Sequence, residues 1–286
     1  MKIGIAGTGR MGAAMAGRLA SLGHEVTVWN RSADKARALG LRVAATPQAL
    51  AEGCEAVISM LTDAAAVEAV YEKMLFADVT GKLVIEMSTV RPEAQRTLSR
   101  KVKAKNAQFV ECPVGGSVGP AKEGKLFGFA GGGAADVARA RPILEQLCRR
   151  VEHVGRAGAG ASMKLAINLP LLVYWQALAE ALVLCKPLGL DPERAMSIFG
   201  DTSGAPMMLK NRAESIAAAL AGKDVPVSVD IDTMAKDLRE MAAEGKSLGG
   251  RMPVTESALA CFEEASRAGL GARDCTLLPA RWVSRP

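Results

Sequence analysis

The first two dozen or so residues constrain the fold more than any other part of the chain. Lys2 to Ala6 alternates as a short buried strand, and Gly7-Thr8-Gly9-Arg10-Met11-Gly12 follows at once. Met11 to Leu22 is then rich in strong helix formers with apolar residues at helical spacing. Gly7 permits the tight turn, Gly9 lets the backbone approach a ligand closely, and Gly12 lets the helix pack on the strand. The unbonded N–H groups and positive dipole end at the start of that helix favour a pyrophosphate, so the unit reads as a dinucleotide site. The glycine pattern alone is a weak signal, and its place between strand and helix gives it weight.

Gly23 ends the helix, and Glu25 to Trp29 reads as the second strand. A site for an unphosphorylated ribose carries an acidic residue at the tip of this strand, whereas a site for a 2′-phosphate carries an arginine. Here the tip is Asn30-Arg31-Ser32. With no carboxylate to repel a phosphate, and a guanidinium, an amide and a hydroxyl to bind it, NADP is expected in preference to NAD. The competing reading is a solvent-exposed Arg31 that binds nothing.

The first half of the chain keeps alternating strand and helix. Further strands are expected over Arg42–Ala45, Glu55–Met60, Lys82–Met87, Gln108–Cys112 and Leu126–Ala130, which implies a mainly parallel sheet covered on both faces. Ligands of such sheets gather at the carboxyl ends of the strands. Three exits are therefore candidates: Leu61-Thr62-Asp63, Ser88-Thr89 and Pro113-Val114-Gly115-Gly116-Ser117. A short polar residue after a buried strand is equally common as a helix cap.

From about residue 158 the pattern becomes helical throughout, opening with a long apolar stretch from Gly158 to about Lys186 that tolerates Pro170. Such a stretch is apolar nearly all round, as in a helix wrapped by others or by a second subunit. Lys164 and Asn168 stand in it one turn apart. Burying an ammonium and an amide costs several kcal/mol, in order of magnitude, unless they have partners or a task. Two readings fit this pair: a lysine that snorkels to solvent, or an acid/base group. Reduction of a carbonyl by hydride leaves negative charge on oxygen and needs a proton donor, usually histidine. The chain has only His24 and His153, both placed by sequence in the dinucleotide-binding half. A desolvated lysine near a positive ring has its pKa pushed down and can exchange a proton near neutrality.

Composition narrows the partners. The net charge of +6 comes from basic residues mixed with acidic ones, and aromatics are 4%. This argues against nucleic acid and for attraction of an anionic cofactor and a small anionic carbonyl or hydroxyacid substrate. No run of about 18 uninterrupted apolar residues is present, so no membrane span is expected. Nor is a leader, because the chain enters a buried strand at once. The six cysteines, without metal or CxxC spacing, fit reduced cytoplasmic thiols and no metal site.

Four motifs in order resemble the β-hydroxyacid dehydrogenase family. They are Gly7-Thr8-Gly9-Arg10-Met11-Gly12 with Met15-Ala16; Cys112 to Ser117 running into Gly119-Pro120-Ala121 and Gly124-Lys125-Leu126; Gly158-Ala159-Gly160 with Lys164 and Asn168; and Lys236-Asp237-Leu238. The family includes 3-hydroxyisobutyrate dehydrogenases, tartronate semialdehyde reductases and glyoxylate/succinic semialdehyde reductases. The resemblance implies an α/β protein with an N-terminal Rossmann dinucleotide-binding domain over residues 1–160. An all-α C-terminal domain follows over residues 161–286, entered by a long interdomain helix, in a homodimer or homotetramer. It implies Lys164 as general acid/base, Asn168 positioning substrate, and the backbone of Gly115-Gly116-Ser117 meeting the substrate's acid group. It also implies Leu61, Thr62 and Thr89 against the cofactor and Lys236 near its nicotinamide end. Two departures stand out: Gly115 replaces the serine of the family's Pro-Val-Ser-Gly, and Ile167 stands where many members carry an asparagine. The expected activity is NADP-linked interconversion of a β-hydroxyacid and its semialdehyde or oxo acid. Imine reduction is the alternative chemistry, and Lys164 speaks against it, since imine reductases commonly carry aspartate or tyrosine there. A binding module without catalysis is the alternative of a different class.

Overall fold

The structure, a computed structural model, describes residues 1–284. The chain divides into two compact units, Met1–Leu165 and Ala166–Pro286. The division falls inside a helix, a few residues beyond the boundary read from the sequence.

In the first unit the strands are β1 (Lys2–Ala6), β2 (Glu25–Trp29), β3 (Arg42–Val43), β4 (Ala56–Ser59), β5 (Leu83–Glu86), β6 (Gln108–Glu111), β7 (Val114–Gly115), β8 (Leu126–Gly132) and β9 (Cys148–Gly155). Between them run α1 (Arg10–Ser21), α2 (Ala33–Arg37), α3 (Pro47–Glu52), α4 (Ala64–Met74), α5 (Pro92–Lys103), α6 (Val118–Glu123) and α7 (Ala134–Leu147). The order across the sheet is β3-β2-β1-β4-β5-β6-β8-β7, with β9 paired to β8. The six strands from β3 to β6 are parallel, the doubly wound arrangement with its reversal point between β1 and β4. β8 runs antiparallel to β6 and β7, and parallel to β9.

Period-two alternation sends neighbouring residues of one strand to opposite layers. Ile3, Ile58, Ile85 and Val110 join a core with Met15 and Leu19 of α1 and Ile143 and Leu147 of α7. Val57, Val84 and Phe109 join the opposite core with Leu50 of α3, Val70 and Met74 of α4, and Leu98 of α5. Burial on both faces explains why these strands read as nearly continuous apolar runs. β9 was not among the expected strands, because Arg149, Arg150, Glu152 and His153 break its apolar pattern. β7 is two residues long and carries no periodicity to detect.

The helix α8 (Ala159–Leu184) is uninterrupted through Pro170 and carries the chain from the first unit into the second. The second unit continues with α9 (Pro192–Gly200), α10 (Met207–Leu220), α11 (Ile231–Ser247), α12 (Pro253–Ala265) and α13 (Leu277–Ser284). Its polar hub is Asp274, fully buried, which accepts from Arg212 Nη2 at 2.7 Å, Ser228 N at 2.8 Å and Thr276 N at 3.1 Å. Two features of α8 bear on the expectations for it. Met163, Ile167 and Leu184 are exposed, so it is not wrapped all round within one chain. Among the described residues it is also the one helix long and apolar enough to cross a membrane by length and composition. Counting uninterrupted apolar residues missed this, since Asn168 and Pro170 interrupt the run while its mean hydropathy stays high.

Candidate functional site

The exits of β1, β4, β5 and β6 lie side by side along the carboxyl edge of the sheet, because those strands are parallel neighbours. At the first exit, Gly7 has φ +97°, and a Cβ there would lie 2.3 Å from Met60 O. A Cβ on Gly12 would lie 1.9 Å from Gly7 O, so only glycine lets α1 approach the strand this closely. Gly9 is different. A Cβ on it would meet nothing within 4 Å, and as the N-cap of α1 it offers no side-chain cap to the helix's first N–H groups. An open face beside uncapped N–H donors is what a pyrophosphate requires, so these residues fit a dinucleotide.

Asn30, at the exit of β2, holds this loop in shape. Its Oδ1 accepts from Thr8 N at 3.0 Å and its Nδ2 donates to Ser32 O at 3.0 Å. The amide expected to meet a ribose phosphate therefore braces the glycine turn. Arg31 and Ser32 are exposed, and Ser32 makes no side-chain cap to α2. Arg10 is exposed and Met11 half-buried at the start of α1.

The β4 and β5 exits are bonded to each other: Leu61 N donates to Ser88 Oγ at 2.8 Å. Ser88 is fully buried, whereas the neighbouring Thr89 is partly accessible. In the Leu61-Thr62-Asp63 exit, Asp63 is the helix cap, accepting from Ala66 N at 2.8 Å, and the exposed Thr62 donates to Asp63 Oδ2 at 3.1 Å. Beyond β6, Gly115 closes β7, Gly116 turns at φ +121°, and Ser117 is an exposed N-cap of α6 whose side chain makes no cap bond.

Two buried carboxylates under this edge were not singled out in the sequence. Glu86 and Glu111 end β5 and β6, face each other in register, and are both fully buried. Glu86 Oε1 accepts from Ser88 N at 3.0 Å, and Oε2 accepts from Gln95 Nε2. Glu111 Oε1 accepts from Gly158 N at 2.6 Å and Gly160 N at 2.8 Å, while its Oε2 is buried without a hydrogen-bond partner. Burial pushes Glu86 up to about 7 against the bonds from Ser88 and Gln95 that pull it down. Burial likewise pushes Glu111 up to about 7 against the Gly160 and Gly158 bonds, and the Glu86 charge adds to the rise. Tyr71 extends the cluster by bonding Ser59 at 2.6 Å; burial raises its hydroxyl well above the usual range. The available signal was an acidic residue at the last position of two apolar strands.

Lys164 is buried in the second turn of α8 at 7% exposure, and Asn168, one turn on, is half-buried. Burial decides against the snorkelling reading of Lys164. Both histidines are engaged in the first unit: His24 Nε2 lies 2.7 Å from Gln146 Oε1, and His153 Nε2 faces Gly155 O at 2.9 Å and Gly132 O at 3.1 Å. Lys236 lies on α11 in the second unit and pairs with Asp237 at 2.8 Å. Among the described residues no three His, Cys, Asp or Glu side chains cluster as a metal site.

The model of the NAD-binding domain of 6-phosphogluconate dehydrogenase matches residues 2–155, and that of the NAD-binding domain of NADP-dependent 3-hydroxyisobutyrate dehydrogenase matches residues 158–280. A glyoxylate/succinic semialdehyde reductase of Arabidopsis thaliana is 33% identical over 280 residues, covering 96% of both chains. The chain belongs to the β-hydroxyacid dehydrogenase family. Its chemistry is that of an NAD(P)-dependent hydroxyacid dehydrogenase, and the doubly wound first unit is the family's Rossmann domain. Among solved family structures, the 3-hydroxyisobutyrate dehydrogenase of Mycobacterium tuberculosis with L-serine superposes with a TM-score of 0.84 at 27% identity, over 98% of each chain. A structure described as Psf3 in complex with NADP+ and 2-OPP gives 0.86 at 26% identity, over 99% of each. A reductive aminase of Aspergillus terreus is more distant, at 0.64 and 23% identity over 97% of each chain, and shares the fold alone.

Proposed function

We propose that this dehydrogenase uses NADP in preference to NAD and interconverts a small β-hydroxyacid and its semialdehyde or oxo acid, with Lys164 as the general acid/base. The observation that carries the reading is Lys164 itself: an ammonium buried one turn into a helix whose start is bonded to the carboxyl edge of the sheet. Bound NADPH supplies the hydride. Lys164 Nζ donates a proton to the oxygen on which negative charge develops, and Asn168, one turn along α8, orients the substrate. The Gly115-Gly116-Ser117 backbone receives the acid group. The glycine turn from Gly7 to Gly12, with Leu61, Thr62 and Thr89 at the next exits, holds the cofactor, and Lys236 attends its nicotinamide end.

Preference for NADP is supported by Arg31, exposed at the tip of β2 with no carboxylate beside it at that exit. The relative with bound NADP+ points the same way. L-serine, the ligand of the mycobacterial relative, carries an acid group and a β-hydroxyl, the pairing this reading requires of the substrate. Gly115 leaves the acid group one side-chain hydroxyl fewer than the family's usual loop, a bond worth roughly 0.5–1.5 kcal/mol. Exposed Met163, Ile167 and Leu184 on α8 support assembly as a homodimer or homotetramer. The deciding experiment measures NADPH and NADH oxidation with glyoxylate, succinic semialdehyde, methylmalonate semialdehyde, tartronate semialdehyde, sulfolactaldehyde and one cyclic imine. The expected outcome is turnover of an aldehyde acid, faster with NADPH; activity on the imine alone would overturn the reading.

A further inference from the structure

We propose that Glu111 is a positioning residue for Lys164: its buried carboxylate anchors the first turn of α8 to the carboxyl edge of the sheet and so fixes where the lysine stands. The proposal rests on Lys164 being the acid/base.

The first N–H groups of a helix have no partner within the helix, and a Ser, Thr or Asp at the N-cap ordinarily supplies one. α8 obtains its acceptor from 47 residues away in sequence, at the last position of β6. Glu111 Oε1 takes the N–H groups of both Gly158 and Gly160, at 2.6 and 2.8 Å. A local cap would satisfy those donors and leave the helix free to shift over the sheet; an acceptor on a central strand ties one to the other. The space is shaped for it. A Cβ on Gly131, the register partner of Glu111 on β8, would lie 2.3 Å from Oε1, and one on Gly160 would lie 3.2 Å away. Gly158, whose N–H meets the carboxylate, holds φ +100°, a backbone angle that a side chain disfavours.

Lys164 follows Gly160 by one turn, about 6 Å along the axis, so displacement of the anchored turn is carried to it almost undiminished. Glu86, in register on β5, does the equivalent for the neighbouring exits, holding Ser88 N and, through Ser88 Oγ, Leu61 N. The two carboxylates thus fix the lysine's helix and the neighbouring cofactor-side loops from adjacent strands. Both are pushed up to about 7 by burial, which is the cost of holding two carboxylates inside the sheet.

The test compares Glu111→Ala, Glu111→Gln and Lys164→Ala in the full-length enzyme. Three quantities are read: amide exchange over residues 158–165, NADPH affinity by fluorescence, and the pH profile of kcat with the faster of glyoxylate and succinic semialdehyde. Glu111→Ala should speed exchange in that segment about tenfold or more, lower kcat about tenfold or more with NADPH affinity within about twofold, and shift the limb of the profile assigned to Lys164. Glu111→Gln, whose carbonyl oxygen can accept both N–H groups, should restore exchange and kcat to within about threefold of the parent. If Glu111→Ala does not fold, Glu111→Asp, which withdraws the acceptor by one methylene, carries the same expectation. Unchanged kcat in Glu111→Ala beside an inactive Lys164→Ala would overturn the proposal, and so would a parallel loss of NADPH affinity. An active Lys164→Ala would instead overturn the acid/base reading and the positioning role with it, while the exchange result would still show whether the anchor exists.

Discussion

Glu86 has to reconcile complete burial with an acidic side chain, and its surroundings show how. Its two oxygens accept from Ser88 N and Gln95 Nε2, while Gln95 Oε1 is buried without a partner. A proton on Glu86 Oε2 reverses that contact once the Gln95 amide turns over, and satisfies the orphaned oxygen. Folded Glu86 and Glu111 hold protons up to about 7, whereas in the unfolded chain they release them near 4.3. The folded state therefore binds more protons between those values. These groups make stability fall as pH rises through that window, with no further change above it. Glu86→Gln keeps the acceptor for Ser88 and offers an N–H to the turned Gln95. Urea unfolding at pH 4.5 and 7.5 should then show a difference smaller than the parent's by about 1–3 kcal/mol; an unchanged difference would mean that Glu86 stays ionised. None of this was legible at the sequence level. An acidic residue ending an apolar strand reads as its exposed end until its partners, Gln95 and the glycines after β9, are brought beside it.

The strand–turn–helix at the N-terminus, by contrast, was legible element by element, because each glycine answers to a local geometric demand. The structure separates those demands. Gly12 is needed to build the element, since a Cβ there would lie 1.9 Å from Gly7 O, whereas Gly9 faces open space. Gly12→Ala should cost about 1–3 kcal/mol of stability from overpacking. Gly9→Ala should leave the melting temperature essentially unchanged and weaken NADPH binding about tenfold or more. Thermal melts with and without NADPH check both, and equal destabilisation by the two substitutions would contradict the separation. At the same scale the expected strands all formed, within a residue or two of their ends, with β8 antiparallel to β6. β7 and β9 did not show because one is too short for any period and the other spends its exposed positions on two arginines and a histidine. The long apolar stretch was read as one helix through Pro170, and it is one. Which of its two expected covers applies, other helices of the chain or a second subunit, was not legible, since periodicity reports apolar faces and not what lies against them.

At the scale of the whole molecule, the order of four motifs identified the family, and the comparisons agree. The sequence placed Lys164 on a helix beyond the cofactor-binding half, and the structure adds that it is buried and that its helix begins against the sheet edge where the dinucleotide loops end. Motif order shows which chemistry a chain carries; the bonds from β6 to α8 show how two distant segments of it are held together. The central claim is that Lys164 moves the proton. The most direct test is the single-turnover rate of NADPH oxidation by Lys164→Ala with the best aldehyde acid, beside its NADPH dissociation constant. General acid catalysis predicts a rate loss of about a hundredfold to ten-thousandfold with cofactor affinity retained. A rate within a few-fold of the parent would contradict the account.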